Sequence, residues 1–258
     1  MKFQHKLFWG LTALFIASSS ALDGFSQETL PTPVYKFLCD SSELSNTGTV
    51  GGSAEIHPPS ANAASVTNDP ERKTDVLVFP ASETKLGSWM EFPESADKLR
   101  LNQSGQEMTL SVWIRWNGPL PGINRQCIVT TMGSAQKEGW SLSIGTSGRL
   151  VFNWQLPSGT GGERMPVESI EVGQWTHIAL VWRNDSKQGL AFYINGVPVA
   201  SEGGPGGGPL VAGNDPIRFG AFTNGTNGYA PLNAAVSDIS LYDIALDEIA
   251  VPALAVPK

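Results

Sequence analysis

Hydrophobic and polar positions alternate most cleanly over residues 108–116, where Met108, Leu110, Val112, Ile114 and Trp116 oppose Thr109, Ser111, Trp113 and Arg115. A period of two is that of a β-strand, because successive side chains leave the pleat on opposite sides. Residues 173–196 carry the same signal twice. Thr176, Ile178, Leu180 and Trp182 oppose Trp175, His177, Ala179, Val181 and Arg183. After the polar segment 184–189, Leu190, Phe192 and Ile194 oppose Ala191, Tyr193 and Asn195. This spacing predicts a β-hairpin. Both faces of its first strand are apolar, so that strand is expected at the centre of a sheet, covered on both sides, with Trp175 in the core. Asn195-Gly196, followed by Val197, Pro198 and Val199, predicts a tight turn into a further strand.

Further strands are expected at 34–38, 75–79, 88–92, 125–131, 140–144, 150–156, 217–220 and 235–242. In 140–144, Trp140, Leu142 and Ile144 point one way, and Ser141 and Ser143 the other. The glycine- and proline-rich stretch 203–209 reads as a loop. From 40 to 74 the composition shifts to Ser, Thr, Asn, Gly, Ala and Pro, which predicts a long surface excursion with at most one short strand near 54–57. Residues 246–250 read as a single helical turn before a Pro-containing tail at 251–258. Many short strands without an amphipathic helix mean an all-β sandwich or barrel.

The N-terminus changes the expected setting. Lys2 and Lys6, the apolar run 7–17 and Ser19-Ser20-Ala21 together read as a secretory signal peptide over 1–21, with Ser26 as the alternative cleavage point. The apolar run is shorter than the about 20 residues that span a bilayer. A polar leader, 22–33, follows. A secreted protein, periplasmic or extracellular, with no integral membrane segment after cleavage is therefore expected. Loss of Lys2 and Lys6 moves the formal charge from −7 to −9. An acidic chain without a Lys/Arg cluster is a poor partner for nucleic acid or anionic membrane. Cys39 and Cys127 are the only cysteines. In an exported protein such a pair reads as a disulfide, the alternative being two buried thiols.

The runs Thr109-Leu110-Ser111-Val112-Trp113-Ile114, Gly139-Trp140, Gly173-Gln174-Trp175-Thr176-His177-Ile178-Ala179, Phe192-Tyr193-Ile194-Asn195-Gly196 and Ser237-Asp238-Ile239-Ser240-Leu241-Tyr242 occur in that order. In order and spacing they resemble the concanavalin A-like, laminin G-like (pentraxin-like) domain family. The resemblance covers roughly 34–250 and implies a two-sheet antiparallel jelly-roll sandwich, usually an extracellular binding or adhesion module. The excursion at 40–74 is longer than the family's usual connection. Family members that bind calcium use loop acids and carbonyls at the sheet rims, which here implies Asp40, Asn214, Asp215 and Asp238 as the Ca²⁺ candidates. Against that, Asp215-Pro216 also reads as a turn and Asp40 as a strand end.

Glycoside hydrolases share the fold, and they need two carboxylates facing one another across the sugar. No Glu-x-Asp-x-x-Glu arrangement occurs; Glu91 and Glu94 are an odd spacing apart around Pro93, and Asp243, Asp247 and Glu248 lie on a turn. His177 reads as a structural imidazole on a central strand rather than a catalytic one. Trp113 and Tyr193 lie on the more polar sides of their strands, where an exposed ring could stack on a sugar or close the sandwich edge against a loop. The expectation is a non-catalytic recognition or adhesion module for a glycan or an extracellular or envelope protein. A polysaccharide-acting hydrolase and a structural envelope component are the alternatives.

Overall fold

A computed structural model of the chain describes residues 30–39, 44–57, 63–82, 85–94, 107–132, 139–155, 161–183, 189–203, 215–223 and 227–256. The expected signal peptide and most of the expected leader lie outside these residues. Contacts divide the chain after Pro31, and every element below belongs to the unit beginning at Thr32.

Two antiparallel sheets of eight strands each make the sandwich. In the first, the order across the sheet is Val197–Val199, Leu190–Ile194, Trp175–Trp182, Met108–Trp116, Ala234–Tyr242, Thr74–Phe79 and Ser65–Asp69, with Tyr35–Phe37 also pairing to Ala234–Tyr242. In the second, it is Ser201–Gly203, Gly161–Pro166, Leu150–Gln155, Gly139–Gly145, Arg125–Thr130, Ile217–Phe219, Trp89–Phe92 and Glu55–His57. A small third sheet joins Phe222–Thr223, Gly228–Tyr229 and Leu86–Gly87.

The alternating stripes meet between the two large sheets. Leu110 lies opposite Leu180 and Leu241, and Val112 opposite Ile178, so neighbouring strands present one apolar surface. From the other sheet Trp140, Phe152 and Trp154 stack in series, their centroids 6.0 Å apart at each step. Trp182 reaches across to Phe152 at 5.8 Å and Trp154 at 5.6 Å. Removing such rings from water is the main favourable term in this fold, about 1.5–3 kcal/mol for a large side chain.

The first sheet is covered on its outer side as well, as its doubly apolar central strand requires. Residues 250–254 form a short helix, later than the expected turn at 246–250, because the Asp247 carboxylate accepts the N–H groups of Ile249 and Ala250 at 2.9 and 2.8 Å. The helix turns Val251 onto Ala179, Val181, Tyr193 and Tyr242, so the expected tail is a packed part of the domain. The Asn195-Gly196 turn forms as expected, with φ of 52° and 77°. Both central residues being left-handed is what a two-residue hairpin turn demands.

The excursion 40–74 holds more structure than expected. Besides Glu55–His57 it supplies Ser65–Asp69, which pairs with Thr74–Phe79 in a hairpin closed through Lys73 at φ 56°. An edge strand reading Ser-Val-Thr-Asn-Asp buries little, so it carries no alternating stripe. The strands Gly161–Pro166 and Ser201–Gly203, rich in Gly and flanking loops, are likewise held by pairing rather than by pattern.

The expected disulfide is absent: Cys39 and Cys127 are both buried thiols. Cys39 follows a strand of the first sheet and its thiol donates to the Val236 carbonyl at 3.7 Å, while Cys127 sits within a strand of the second sheet. Burial pushes the Cys127 thiol well above its ordinary range, and the nearby Arg218 charge only partly offsets that, so it stays protonated and inert.

Trp175 also departs from expectation. Its ring lies outside the interlayer core, 5.6 Å from the Arg72 guanidinium and 5.2 Å from that of Arg115. Replacing Trp182 by Ala is therefore expected to cost about 3–5 kcal/mol of unfolding free energy, whereas Trp175→Ala should cost about 1–2 kcal/mol, the scale of its cation–π contacts. Denaturant unfolding of the two variants checks this, and equal losses would overturn the assignment of Trp175 to the outer face.

Candidate functional site

The second sheet keeps part of its outer face open. Along Gly139–Gly145 the rings and aliphatic groups face inward, which turns Ser141 and Ser143 outward. Strand register then lines polar groups up across the sheet. Asn153 lies opposite Ser141 on one side and Glu163 on the other. Met132 and Phe222 reach this face from flanking segments, and together they line a groove of about 480 Å³.

Two features of the groove stand out electrostatically. Ser141 and Ser143 are each 1 % exposed, and their hydroxyls have no hydrogen-bond partner among the described residues. Leaving a buried hydroxyl unpaired costs about 1–3 kcal/mol, so two side by side are an unusual arrangement in a folded protein. The other feature is an ion pair between Arg125 Nη1 and Glu163 Oε2 at 2.7 Å, with both side chains partly in solvent. Gly162 fits here because it has no side chain: a Cβ would come within 2.1 Å of the Trp154 ring, another lining group.

A laminin G-type family model, described as the concanavalin A-like lectin/glucanases superfamily, matches residues 87–251. The chain belongs to the concanavalin A-like lectin/glucanase superfamily. Solved structures share its fold at low identity. A botulinum neurotoxin type C structure, from work on the interaction of that toxin with two ganglioside molecules, superposes with a TM-score of 0.64 at 13 % identity, covering 87 % of this chain and 51 % of the toxin chain. The binding domain of botulinum neurotoxin DC in complex with rat synaptotagmin II gives 0.64 at 14 % identity, with 87 % and 51 % covered. This chain thus spans about half the length of those toxin chains. Domain 4 of AbnA, an extracellular arabinanase from Geobacillus stearothermophilus, solved with arabinotriose, gives 0.62 at 16 % identity over 88 % of this chain and 100 % of that one. No curated protein matches the chain.

Among the described residues, Trp113, Tyr193, Asp215 and Asp238, singled out from sequence, do not line this groove. Trp113 is 7 % exposed, its ring covered by the Arg72 guanidinium at 4.1 Å. Tyr193 is 2 % exposed beneath the C-terminal helix. Neither offers a face to a ligand, because the polar side of each strand is covered by the excursion or the helix. Asp238 sits at a β-bulge with φ 49° and pairs with Arg72 at 2.5 Å. Asp215, in the other sheet's periphery, pairs with Arg218 at 3.2 Å, and Arg218 also holds Glu91 at 2.6 Å. Both acids are thus committed to guanidinium groups, and Asp40 and Asn214 lie outside the described residues. Among the described residues no three Asp, Glu, His or Cys side chains converge.

The excursion's contribution is a buried polar layer over the first sheet. Asp69 Oδ1 accepts the Glu71 and Arg72 N–H groups at 3.0 and 2.9 Å, and its other oxygen meets Arg115 at 2.7 Å. Burial raises the Asp69 carboxyl pKa, but those N–H groups and Arg115 outweigh it and hold the pKa below the ordinary value. His177 is fully buried beside Trp113 and shares a 2.9 Å hydrogen bond with Ser111 through Nε2. Burial first, and the Arg72 charge second, lower its pKa from 6.5 to about 4 against the opposing pull of Asp238. The imidazole is thus held between Ser111 and Trp113 on the central strand.

A histidine with a depressed folded pKa lets the unfolded chain bind the proton more tightly between pH 6.5 and about 4. Stability is therefore expected to be complete above that window and to fall by a few kcal/mol as pH is lowered through it. Asp69 acts below the window, its contribution being lost as pH falls from 3.8 through its depressed value. Urea unfolding across the acid range checks this. His177→Gln should flatten the decline above pH 4, and an unchanged slope would refute a buried neutral imidazole.

Proposed function

We propose that this chain is a non-catalytic glycan-recognition domain of an exported protein, and that the groove over Ser141, Ser143 and Asn153 is its ligand seat. The observation that carries this reading is the pair of buried serine hydroxyls without partners, on the floor of an open groove. A hydroxyl-rich ligand that displaces the groups covering these serines supplies the missing hydrogen bonds, because each sugar hydroxyl donates and accepts, as serine does. Asn153 and Gln155 add amide groups, and Phe222 and Met132 add apolar surface suited to the C–H face of a sugar ring.

The carboxylate inventory supports binding without catalysis. Glycoside cleavage uses two carboxyl groups across the scissile bond, and among the described residues lining the groove Glu163 is the single one, already paired with Arg125. The fold likeness to a toxin that interacts with gangliosides and to an arabinanase domain solved with arabinotriose is consistent with a glycan ligand. The N-terminal signal-like segment supports export.

Glycan-array screening followed by calorimetry is the test. The unaltered domain is expected to bind defined oligosaccharides, and the Ser141→Ala/Ser143→Ala double variant to bind them at least about tenfold more weakly, the effect of losing one to two hydrogen bonds. That variant should unfold at the same denaturant concentration or a slightly higher one, since the removed hydroxyls have no partners in the free protein. Silence of the unaltered domain on every glycan, or full binding by the double variant, overturns the reading.

A further inference from the structure

Arg125 and Glu163 belong to strands that are not neighbours. Across the second sheet, Gly139–Gly145 and Leu150–Gln155 lie between Arg125–Thr130 and Gly161–Pro166. Three strand spacings separate the two backbones, roughly 14 Å along a flat sheet. The side chains nonetheless meet at 2.7 Å, so the ion pair must arch over the face of the two intervening strands, the strands that supply Ser141, Ser143 and Asn153. It forms a bar across the ligand seat.

That bar decides the charge a ligand can carry. Among the described residues Arg125 and Glu163 are the charged groups lining the groove, and each neutralises the other; the rest of the polar lining is hydroxyl and amide. An acidic sugar would have to displace Glu163 from Arg125 and then lie beside the released carboxylate, in a chain whose net charge is already −7. An uncharged sugar can hydrogen-bond to the paired groups as they stand. Both side chains are partly solvated, and an exposed pair contributes at most about 1 kcal/mol, so removing it leaves the fold intact.

Resting on the glycan reading, we infer that the groove takes neutral sugar chains and that Glu163 is the specificity-determining residue that excludes acidic ones. The probes are arabinotriose, cellotriose and maltotriose as neutral chains and trigalacturonate as the acidic one, with binding read by calorimetry. The unaltered domain should prefer at least one neutral trisaccharide over trigalacturonate by about tenfold or more, the effect of one unfavourable charge contact in place of a charge-assisted hydrogen bond. Glu163→Gln should raise trigalacturonate affinity by about tenfold relative to the neutral probes, and that gain should be salt-sensitive. Adding Arg125→Gln to that variant should abolish the gain. Equal or tighter binding of trigalacturonate by the unaltered domain, or no gain in Glu163→Gln, overturns this inference while the glycan reading stands. Failure of the unaltered domain to bind any of the four probes or any arrayed glycan overturns the reading itself.

Discussion

Exclusion of water from both faces of the first sheet is the constraint on which the rest of the structure depends. Its central strand, Trp175–Trp182, carries Ile178, Leu180 and Trp182 on one side and His177, Ala179 and Val181 on the other, all fully buried. The second sheet covers the inner side. The outer side needs two separate covers: the C-terminal helix over Ala179, Val181 and Tyr193, and the Ser65–Asp69 hairpin, with Arg72, over Trp113 and His177. Once those covers are in place the first sheet has no broad outer surface left for a ligand. The groove lies on the outer face of the second sheet, with Phe222 and Met132 among its lining residues.

The two covers differ in chemistry. The helix adds a conventional apolar satellite to the core. The hairpin brings a guanidinium onto an indole and ties it to Asp238, while Asp69 holds Arg115. Buried ion pairs add little net stability because desolvation offsets most of the attraction, but breaking one strands a charge. The network therefore acts mainly to hold the hairpin in one position over the sheet. Burial beneath this layer, and secondly the positive charge of Arg72, keeps His177 neutral, so the layer is self-consistent near neutral pH and strained in acid.

The sandwich was legible wherever strands alternate between a buried and a less buried side, as in 108–116, 140–144 and 175–182. It was not legible at 65–69, 161–166 and 201–203, where a sheet edge or a glycine pair leaves no stripe and only pairing with a distant strand defines the element. The same limit explains the site. Ser141 and Ser143 were visible as outward positions, but their importance depends on Asn153, Glu163 and Arg125 being brought alongside by strand order, which no local pattern records. Trp113 and Tyr193 misled for a related reason: a polar neighbour on one strand says which face a ring is on, not whether another element covers that face. Asp238 looked free for an ion because its partner, Arg72, comes from a stretch with no pattern of its own.

Trp154 ties the groove to the core. Its indole packs on Phe152 and Trp182 between the sheets, yet it also lines the groove, and Gly162 lies against it with no room for a Cβ. The groove is thus bordered by a residue whose position is set by the interlayer stack. That stack exists only in the folded chain, as does the register that gathers Ser141, Asn153 and Glu163 into one row. A ligand that needs the row has no counterpart site in the unfolded chain, so its binding free energy adds directly to the stability of the fold. The unsatisfied hydroxyls work in the opposite direction in the free protein, lowering stability by the cost of their own desolvation. On the proposed reading, occupancy would remove that cost and the serine pair would favour the bound domain over the empty one.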